Sequence, residues 1–563
     1  MCRDLLGEDA WISQERRPVA APAIRMEAVD HGHRRPERGA LELRGDDGTP
    51  PTVQAESPEG DAGGGAIREV GRGAGEAPVP PRQWRPEQAD VRVRRAERPA
   101  QARLRHGPHS GRGHAGEGGA EIALEVWAHA DMSTVSAVTA NTGRSTAVVL
   151  FTRDLRLHDH PALAAAVERA ERVVPLFVLD DAILAGFGAP NRAAFLLDSL
   201  RDLDAGLSAR GGGLVVRSGS VVGETARLAV EVGAETVYAS EDVSAYAQER
   251  ERRLRQALAG FRIALETFSG VTVVPPGDLA PADSDHYRVF TAFWRRWREQ
   301  PRRDVLPAPG RIALPDGVDA GLTAGLNRLQ RGAPAAQLPA GGETAGRRRL
   351  DAWLDDGLAR YGELADDLAA DATSRLSPYL HFGCVSAGDV VTRALEREGA
   401  EPFVRQLCWR DFNHQLLAAR PETAHEDLRP RAAPWRDDEE ALEAWRDGRT
   451  GYPLVDAGMR QLMAEGFMHN RARLVAGSFL TKHLGIDWRR GAEHFFELLV
   501  DGDVANNTGN WQWVAGTGTD SRPNRRLSPE RQAERFDPDG VYVRRYIPEL
   551  GTRDYPSPMA VAA

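Results

Sequence analysis

From Thr146 onward, short apolar runs alternate with longer amphipathic stretches, and that alternation constrains the fold more than any other feature of the chain. AVVLFT (147–152), VVPLFVL (173–179), GLVVRSG (213–219), ETVYAS (235–240) and RIALETF (262–268) read as buried strands. NRAAFLLDSLRDLDAGLSAR and AQERERRLRQALAG, lying between them, carry helical spacing. Strands alternating with helices of this length imply right-handed βαβ units, so a parallel, doubly wound α/β domain is expected over 144–275. No GxGxxG follows the first strand, which excludes a simple dinucleotide fingerprint.

The flanking texture is different. Residues 1–143 are rich in Arg, Gly, Pro, Glu and His and too poor in apolar residues to offset their chain entropy, so a disordered extension is expected there. Met132 stands just before a Ser/Thr-rich lead-in to the first strand and is the expected translation start. A Pro/Gly/Ala-rich linker follows over 276–345; its HYRVFTAFWRRW stretch has helical spacing and is expected to pack on the α/β domain it leaves. Residues 346–550 read as an all-α domain, and 551–563 as an unstructured tail.

No apolar run approaches the roughly 18 residues of a membrane span, and no signal-peptide core is present. Three cysteines (Cys2, Cys384, Cys408) can form neither a disulfide framework nor a four-thiolate iron–sulfur site, so a reducing cytoplasmic location is expected. No metal-ligand spacing occurs. A net charge of −10 leaves nucleic-acid binding open, because binding depends on a local patch and not on the sum.

Three clusters in the helical part carry chemistry. In TSRLSPYLHFG (373–383), Thr373, Ser374 and Ser377 precede or open a helix, where hydroxyls and free N–H groups suit an anion such as a pyrophosphate; an ordinary helix cap needs the same residues. In FVRQLCWRDFNHQLL (403–417), Gln406, Trp409, Arg410 and Asn413 share one helical face. That face suits a flat, polar ligand, or a buried tryptophan with satisfied neighbours. The third runs from FMHNRAR (467–473) into DGDVANNTGNWQW (501–513), where Arg473 can pair with Asp501, a pairing that is often only structural. Trp435, Trp445, Trp488, Trp511 and Trp513 fall in the last third, either as core filling or, beside a redox cofactor, as an electron path.

VVLFTRDLRLHDHPAL (148–163), TSRLSPYLHFG, CWRDF, GRTGYPLVDAGMRQL, MHNRAR and DGDVANNTGNWQW together resemble the photolyase/cryptochrome family of flavoproteins, in particular its actinobacterial members that act on cyclobutane pyrimidine dimers. The likeness covers about 146–547. It implies one noncovalent FAD in the helical domain. Tyr361, Thr373, Ser374, Leu376 and Ser377 match the phosphate and ribose positions; Arg410, Arg473, Asp501, Asp503 and Asn507 match those around the isoalloxazine and adenine, with Asn507 facing flavin N5. It further implies light-driven repair of a lesion flipped out of UV-damaged DNA, with Trp409 and Trp513 as walls and Gln406 and Asn470 as polar contacts. Trp511, Trp488 and Trp435 match the family's photoreduction path, and Arg471 and Arg526 are the implied phosphate contacts. Arg192 and Asp242 fall near positions that hold an antenna chromophore, 8-hydroxy-5-deazaflavin or methenyltetrahydrofolate, in relatives. A monomer without an obligate protein partner is expected.

Two positions bear on the lesion. Gln406 stands where dimer enzymes commonly carry Glu, and Gln also occurs there in enzymes for the (6-4) photoproduct. Asn470 argues for dimers, since (6-4) enzymes of this architecture place histidine there. A cryptochrome-like blue-light receptor without repair activity is the non-enzymatic alternative.

Overall fold

All five expected strands pair in one parallel sheet: β1 (Thr146–Phe151), β2 (Arg172–Asp180), β3 (Val215–Gly219), β4 (Thr236–Ser240) and β5 (Ala264–Phe268), in the order β3-β2-β1-β4-β5. The order reverses at β1, as a doubly wound sheet requires. The computed structural model describes residues 145–561, apart from 187–188, 323 and 330–331. The expected disordered extension over 1–143 and the start at Met132 lie outside the described residues.

The crossovers are α1 (Pro161–Arg169), α2 (Pro190–Ser208), α3 (Val221–Glu231) and α4 (Ala245–Ala259). Their starts are chemically marked: the side chains of His160, Ser220 and Ser244 accept from the backbone N–H of Leu163, Gly223 and Ala247. Period-2 alternation divides β1 between two cores. Val148 and Leu150 join the cluster that includes Leu228 and Leu254, while Val149 and Phe151 join one that runs on into Trp353, Phe403 and Phe412 of the helical part.

The helical part contains α6 (Glu343–Ala352), α7 (Glu401–Ala419), α8 (Pro453–Glu465), α9 (Asn470–Ser478), α10 (Trp488–Leu498) and α11 (Val504–Ala515). It is stitched to the sheet by the DLRLHD run. Arg156, 2% exposed, donates to the carbonyls of Gly383, Asp159 and Gly270, and the backbone N–H groups of Leu157 and His158 donate to the Glu343 carboxylate. Gly383 has a φ of 66°, and a Cβ there would lie 2.0 Å from the Arg153 carbonyl oxygen, so only glycine permits this approach.

Two expectations need correction. The linker does form a helix, α5 (Phe290–Trp297), but it docks on α7 of the helical part and not on the domain it leaves. Phe290 stacks on Trp409 at 3.6 Å, and Trp297 Nε1 donates to Asp411 Oδ2 at 2.9 Å. The C-terminal tail has no helix or strand over 551–561, yet it is not loose. Tyr555 donates its hydroxyl to Asp456 at 2.8 Å, and Met559 N donates to Thr450 O at 2.9 Å. No helix among the described residues is long and apolar enough to cross a membrane.

Candidate functional site

A cleft of about 430 Å³ opens in the helical part, within the range of sites that hold cofactor-sized ligands. Most of the residues singled out from the sequence converge on it: Tyr361, Thr373, Ser374, Leu376 and Ser377; Gln406, Trp409 and Arg410 from α7; Asn470 and Arg473 from α9; and Asp501, Asp503 and Trp513. Gln406 and Asn470 are exposed at its mouth, whereas Leu376 and Asp503 are buried. Helical period alone brings Gln406, Trp409, Arg410 and Asn413 to one wall. Trp513 forms another part of the lining, with the Arg525 guanidinium 4.8 Å from its ring.

The hydroxyl loop is fixed from outside. Arg349 on α6 donates to the carbonyls of Ser374 and Thr373. Ser374 Oγ accepts from Leu376 N at 3.3 Å, and the helix that follows, Ser377–His381, is a single short turn. Arg375, amid these hydroxyls, takes a positive φ of 51° and is consumed by Asp371 and Glu465. The Thr373 hydroxyl is buried without a hydrogen-bond partner, a donor that a phosphate oxygen satisfies. With Arg410 and Arg473 in the same lining, the donors fit a dinucleotide carrying a pyrophosphate.

The expected ion pair is present: Arg473 Nη2 lies 2.9 Å from Asp501 Oδ2. Asp503 caps α11 by accepting from Asn506 N at 2.8 Å. Burial pushes the Asp503 carboxyl up, but the Arg153 guanidinium bonded to it, with Arg410 nearby, outweighs burial and holds the group well below the usual carboxylate range. Arg153 is a residue that sequence reasoning missed. It reaches from just after β1 to Asp503 at 2.5 Å and to Asp242 at 3.4 Å. Its signal was the TRDLR run, whose partner lies 350 positions away.

Asn507 does not line the main cleft. It lines an adjoining recess of about 80 Å³ that shares Arg473, Asp501 and Asp503 with the cleft, and its side-chain amide donates to Ala492 O at 2.9 Å. Asn506, one residue earlier, borders both spaces and accepts from Asn413 at 3.1 Å. Trp511 and Trp488 are buried in one apolar cluster, with Trp435 partly exposed against it. Trp445, read only as one of the late tryptophans, lies 6.0 Å from Trp511.

Three assignments, Arg471, Arg192 and Asp242, stand differently from their expected setting. Arg471 pairs with Asp366 and stacks 4.2 Å from Phe536, so its guanidinium is already engaged. Arg526 is exposed on the surface. Arg192 and Asp242, expected around an antenna chromophore, turn toward the helical part instead. Arg192 is 4% exposed, donates to the carbonyls of Phe496 and Leu499 at the end of α10, and has its pKa lowered to about 9 by burial. Asp242 accepts from Arg153.

A family model described as DNA photolyase matches residues 147–310, and one described as the FAD binding domain of DNA photolyase matches residues 403–559. The chain is 54% identical over 411 residues to a deoxyribodipyrimidine photo-lyase of Streptomyces griseus, covering 72% of this chain and 90% of that protein. A bacterial class III photolyase from Agrobacterium tumefaciens superposes with a TM-score of 0.69 at 36% identity, covering 74% of this chain and 89% of that one. An archaeal photolyase from Sulfolobus tokodaii, crystallised with two FAD molecules, superposes with a TM-score of 0.67 at 29% identity, covering 74% and 96%. The sheet, the helical cleft and these likenesses agree: the chain belongs to the photolyase/cryptochrome family.

Proposed function

We propose that this protein is a deoxyribodipyrimidine photo-lyase, a carbon–carbon lyase that uses light to split cyclobutane pyrimidine dimers in DNA. The observation that carries the reading is the cleft itself, which joins a buried, hydroxyl- and arginine-lined interior to a mouth framed by Trp409, Trp513, Gln406 and Asn470. FAD, when bound and reduced, supplies the excited-state electron that opens the cyclobutane ring. Thr373, Ser374 and Ser377 bind its phosphates, while Arg410, Arg473, Asp501 and Asp503 set the field around its rings, and Asn507 presents an amide from the recess.

The damaged dinucleotide leaves the duplex at reduced cost because it is already poorly stacked. Trp409 and Trp513 then give it apolar walls, and the neutral amides of Gln406 and Asn470 donate to and accept from base edges. Asn470 supports dimers over the (6-4) photoproduct, since no imidazole stands in its place; the neighbouring His469 is buried and caps α9. Trp511, Trp488 and Trp435 form the path by which the flavin is photoreduced. Arg526 contacts DNA phosphate. A second chromophore, a deazaflavin or a methenyltetrahydrofolate, belongs to the α/β part, and the protein acts as a cytoplasmic monomer.

The test is illumination of the reduced holoprotein with DNA carrying a defined thymine dimer. Restored thymines are expected; none, with reduced flavin bound, would remove the dimer reading. A (6-4) substrate run in parallel separates the lesions. Arg526→Glu should weaken dimer-DNA binding at every salt concentration and lower the salt slope by about one phosphate, with bound FAD unchanged. Unaltered binding across salt removes that assignment. An absorption spectrum of protein purified from its own host identifies the second chromophore, and gel filtration tests the monomer.

A further inference from the structure

Two residues beside the hydroxyls of the cleft, Asp371 and Arg375, have left-handed backbones, with φ of 48° and 51°. An L side chain keeps that conformation only where its surroundings hold it. Part of the hold is mutual: Arg375 Nε and Nη2 donate to the Asp371 carboxylate at 3.0 and 2.8 Å. The third tie comes from outside the loop, where Arg375 Nη1 donates at 2.7 Å to Oε2 of Glu465, the buried last residue of α8.

A carboxylate 5% exposed needs donors for both oxygens, and each oxygen of Glu465 has its own. Oε2 accepts from Arg375 and, at 3.4 Å, from Gln461 one turn earlier on α8. Oε1 accepts from the hydroxyl of Tyr546, which ends the C-terminal helix Val541–Tyr546. The carboxylate therefore cannot turn toward one partner without losing the other. The C-terminal helix is anchored in its turn: buried Asp537 accepts from the N–H groups of Tyr542 and Val543, and the Tyr542 hydroxyl donates to Gln461 at 2.8 Å. Near the other end of α8, Tyr555 makes the same kind of bond to Asp456. That carboxylate otherwise accepts from Thr450 and Gly451, neither of which lines the cleft.

We infer that Glu465 is a positioning residue for FAD: gripped by Tyr546 from the C-terminal helix, it holds Arg375 in its left-handed conformation and so keeps Thr373, Ser374 and Ser377 in the cleft lining. The inference rests on the FAD site proposed above. Glu465 is not itself part of that lining, so its effect passes through Arg375, which is. A loop ordered before the cofactor arrives spares the complex the entropy of ordering it, and that saving appears as slow release of FAD.

Release of FAD from the holoprotein, followed by flavin fluorescence well below Tm, tests this. Tyr546→Phe keeps the ring and removes the hydroxyl, and should speed release about fivefold; Glu465→Gln, which removes the charge facing Arg375, should speed it about tenfold or more. In both variants hydrogen exchange should quicken at the amides of Ser374 to Ser377. Tyr555→Phe, which removes the matching bond to Asp456, should change neither release nor exchange. No hydrogen bond joins Tyr546 to Arg375 directly, so a double-mutant cycle of Tyr546→Phe with Arg375→Gln should be non-additive in release rate only if Glu465 couples them. Additive effects, wild-type release or exchange in Tyr546→Phe, or equal effects of Tyr546→Phe and Tyr555→Phe overturn the inference. A wild-type protein that takes up no FAD would instead remove the photo-lyase reading, and the inference with it.

Discussion

Trp409 is held in place before any substrate arrives. Phe290 stacks on it at 3.6 Å with the planes 4° apart, and Phe412 meets it edge-on at 5.5 Å. A ring fixed this way loses little freedom when a base packs against it, so its stacking appears as affinity. Trp409→Ala should weaken dimer-DNA binding about 10- to 100-fold, from roughly 1–3 kcal/mol per stacked base, with flavin absorbance unchanged. Fluorescence anisotropy with a labelled duplex reads the change, and binding within twofold of wild type would refute the wall assignment. This wall was legible in the sequence because one period of 3.6 residues aligns Gln406, Trp409, Arg410 and Asn413. Phe290 was legible only as one side of an amphipathic helix. Such spacing says that a face is buried and leaves open what covers it, which is why α5 was expected on the wrong partner.

The element that most depends on the α/β part is the loop from α10 to α11. Asn191 and Arg192, at the start of α2, donate to Leu498 O and Leu499 O at one end of the loop, and Arg153 holds Asp503 at the other. The sheet domain thus clamps the loop that presents Asp501 and Asp503 to the cleft, apart from any role in harvesting light. Arg153→Gln leaves Asp503 buried with its main counter-charge removed, a loss of about 3–5 kcal/mol for breaking a buried pair. Tm should fall by roughly 3–6 °C, and FAD should leave the protein faster. Arg252→Gln, which breaks an exposed pair with Glu249 on α4, should change neither. Stopped-flow loss of flavin absorbance and calorimetry measure both effects; equal behaviour of the two variants would refute the clamp. None of this was readable from local pattern. The Arg473–Asp501 pair could be guessed from two motifs close in the chain, whereas Arg153 and Asp503 meet only after the sheet has formed. Arg192 and Asp242, taken by resemblance as antenna contacts, are instead engaged at this same seam.

At the scale of the whole molecule, the sheet order and helical character of the second half follow from apolar periodicity, but the buried titratable groups follow from packing that no window of sequence shows. Burial holds four histidines neutral, lowering His414, His469 and His494 to about 4 and His381 well below its ordinary value. Unfolded, each titrates near 6.5, so as pH falls below that value the unfolded chain binds protons that the fold does not. Their contribution to stability is full above about pH 6.5 and is lost as pH falls toward 4. Two carboxyls work the other way. Burial raises Asp411 to about 6 and Glu251 to about 7, so their contribution is present at low pH and is lost as pH rises through those values. Between pH 4.5 and 6 the four histidines outnumber these two carboxyls, so stability favours the higher pH. Tm should therefore drop from pH 6 to pH 5. His469→Asn keeps a side chain able to accept from Arg471 N at the start of α9 while removing one titrating group, and it should lower the slope of stability against pH by about 1.4 kcal/mol per pH unit. Scanning calorimetry at fixed ionic strength decides the matter. A wild-type Tm that rises on acidification would show that the carboxyls, not the histidines, govern the acid limb.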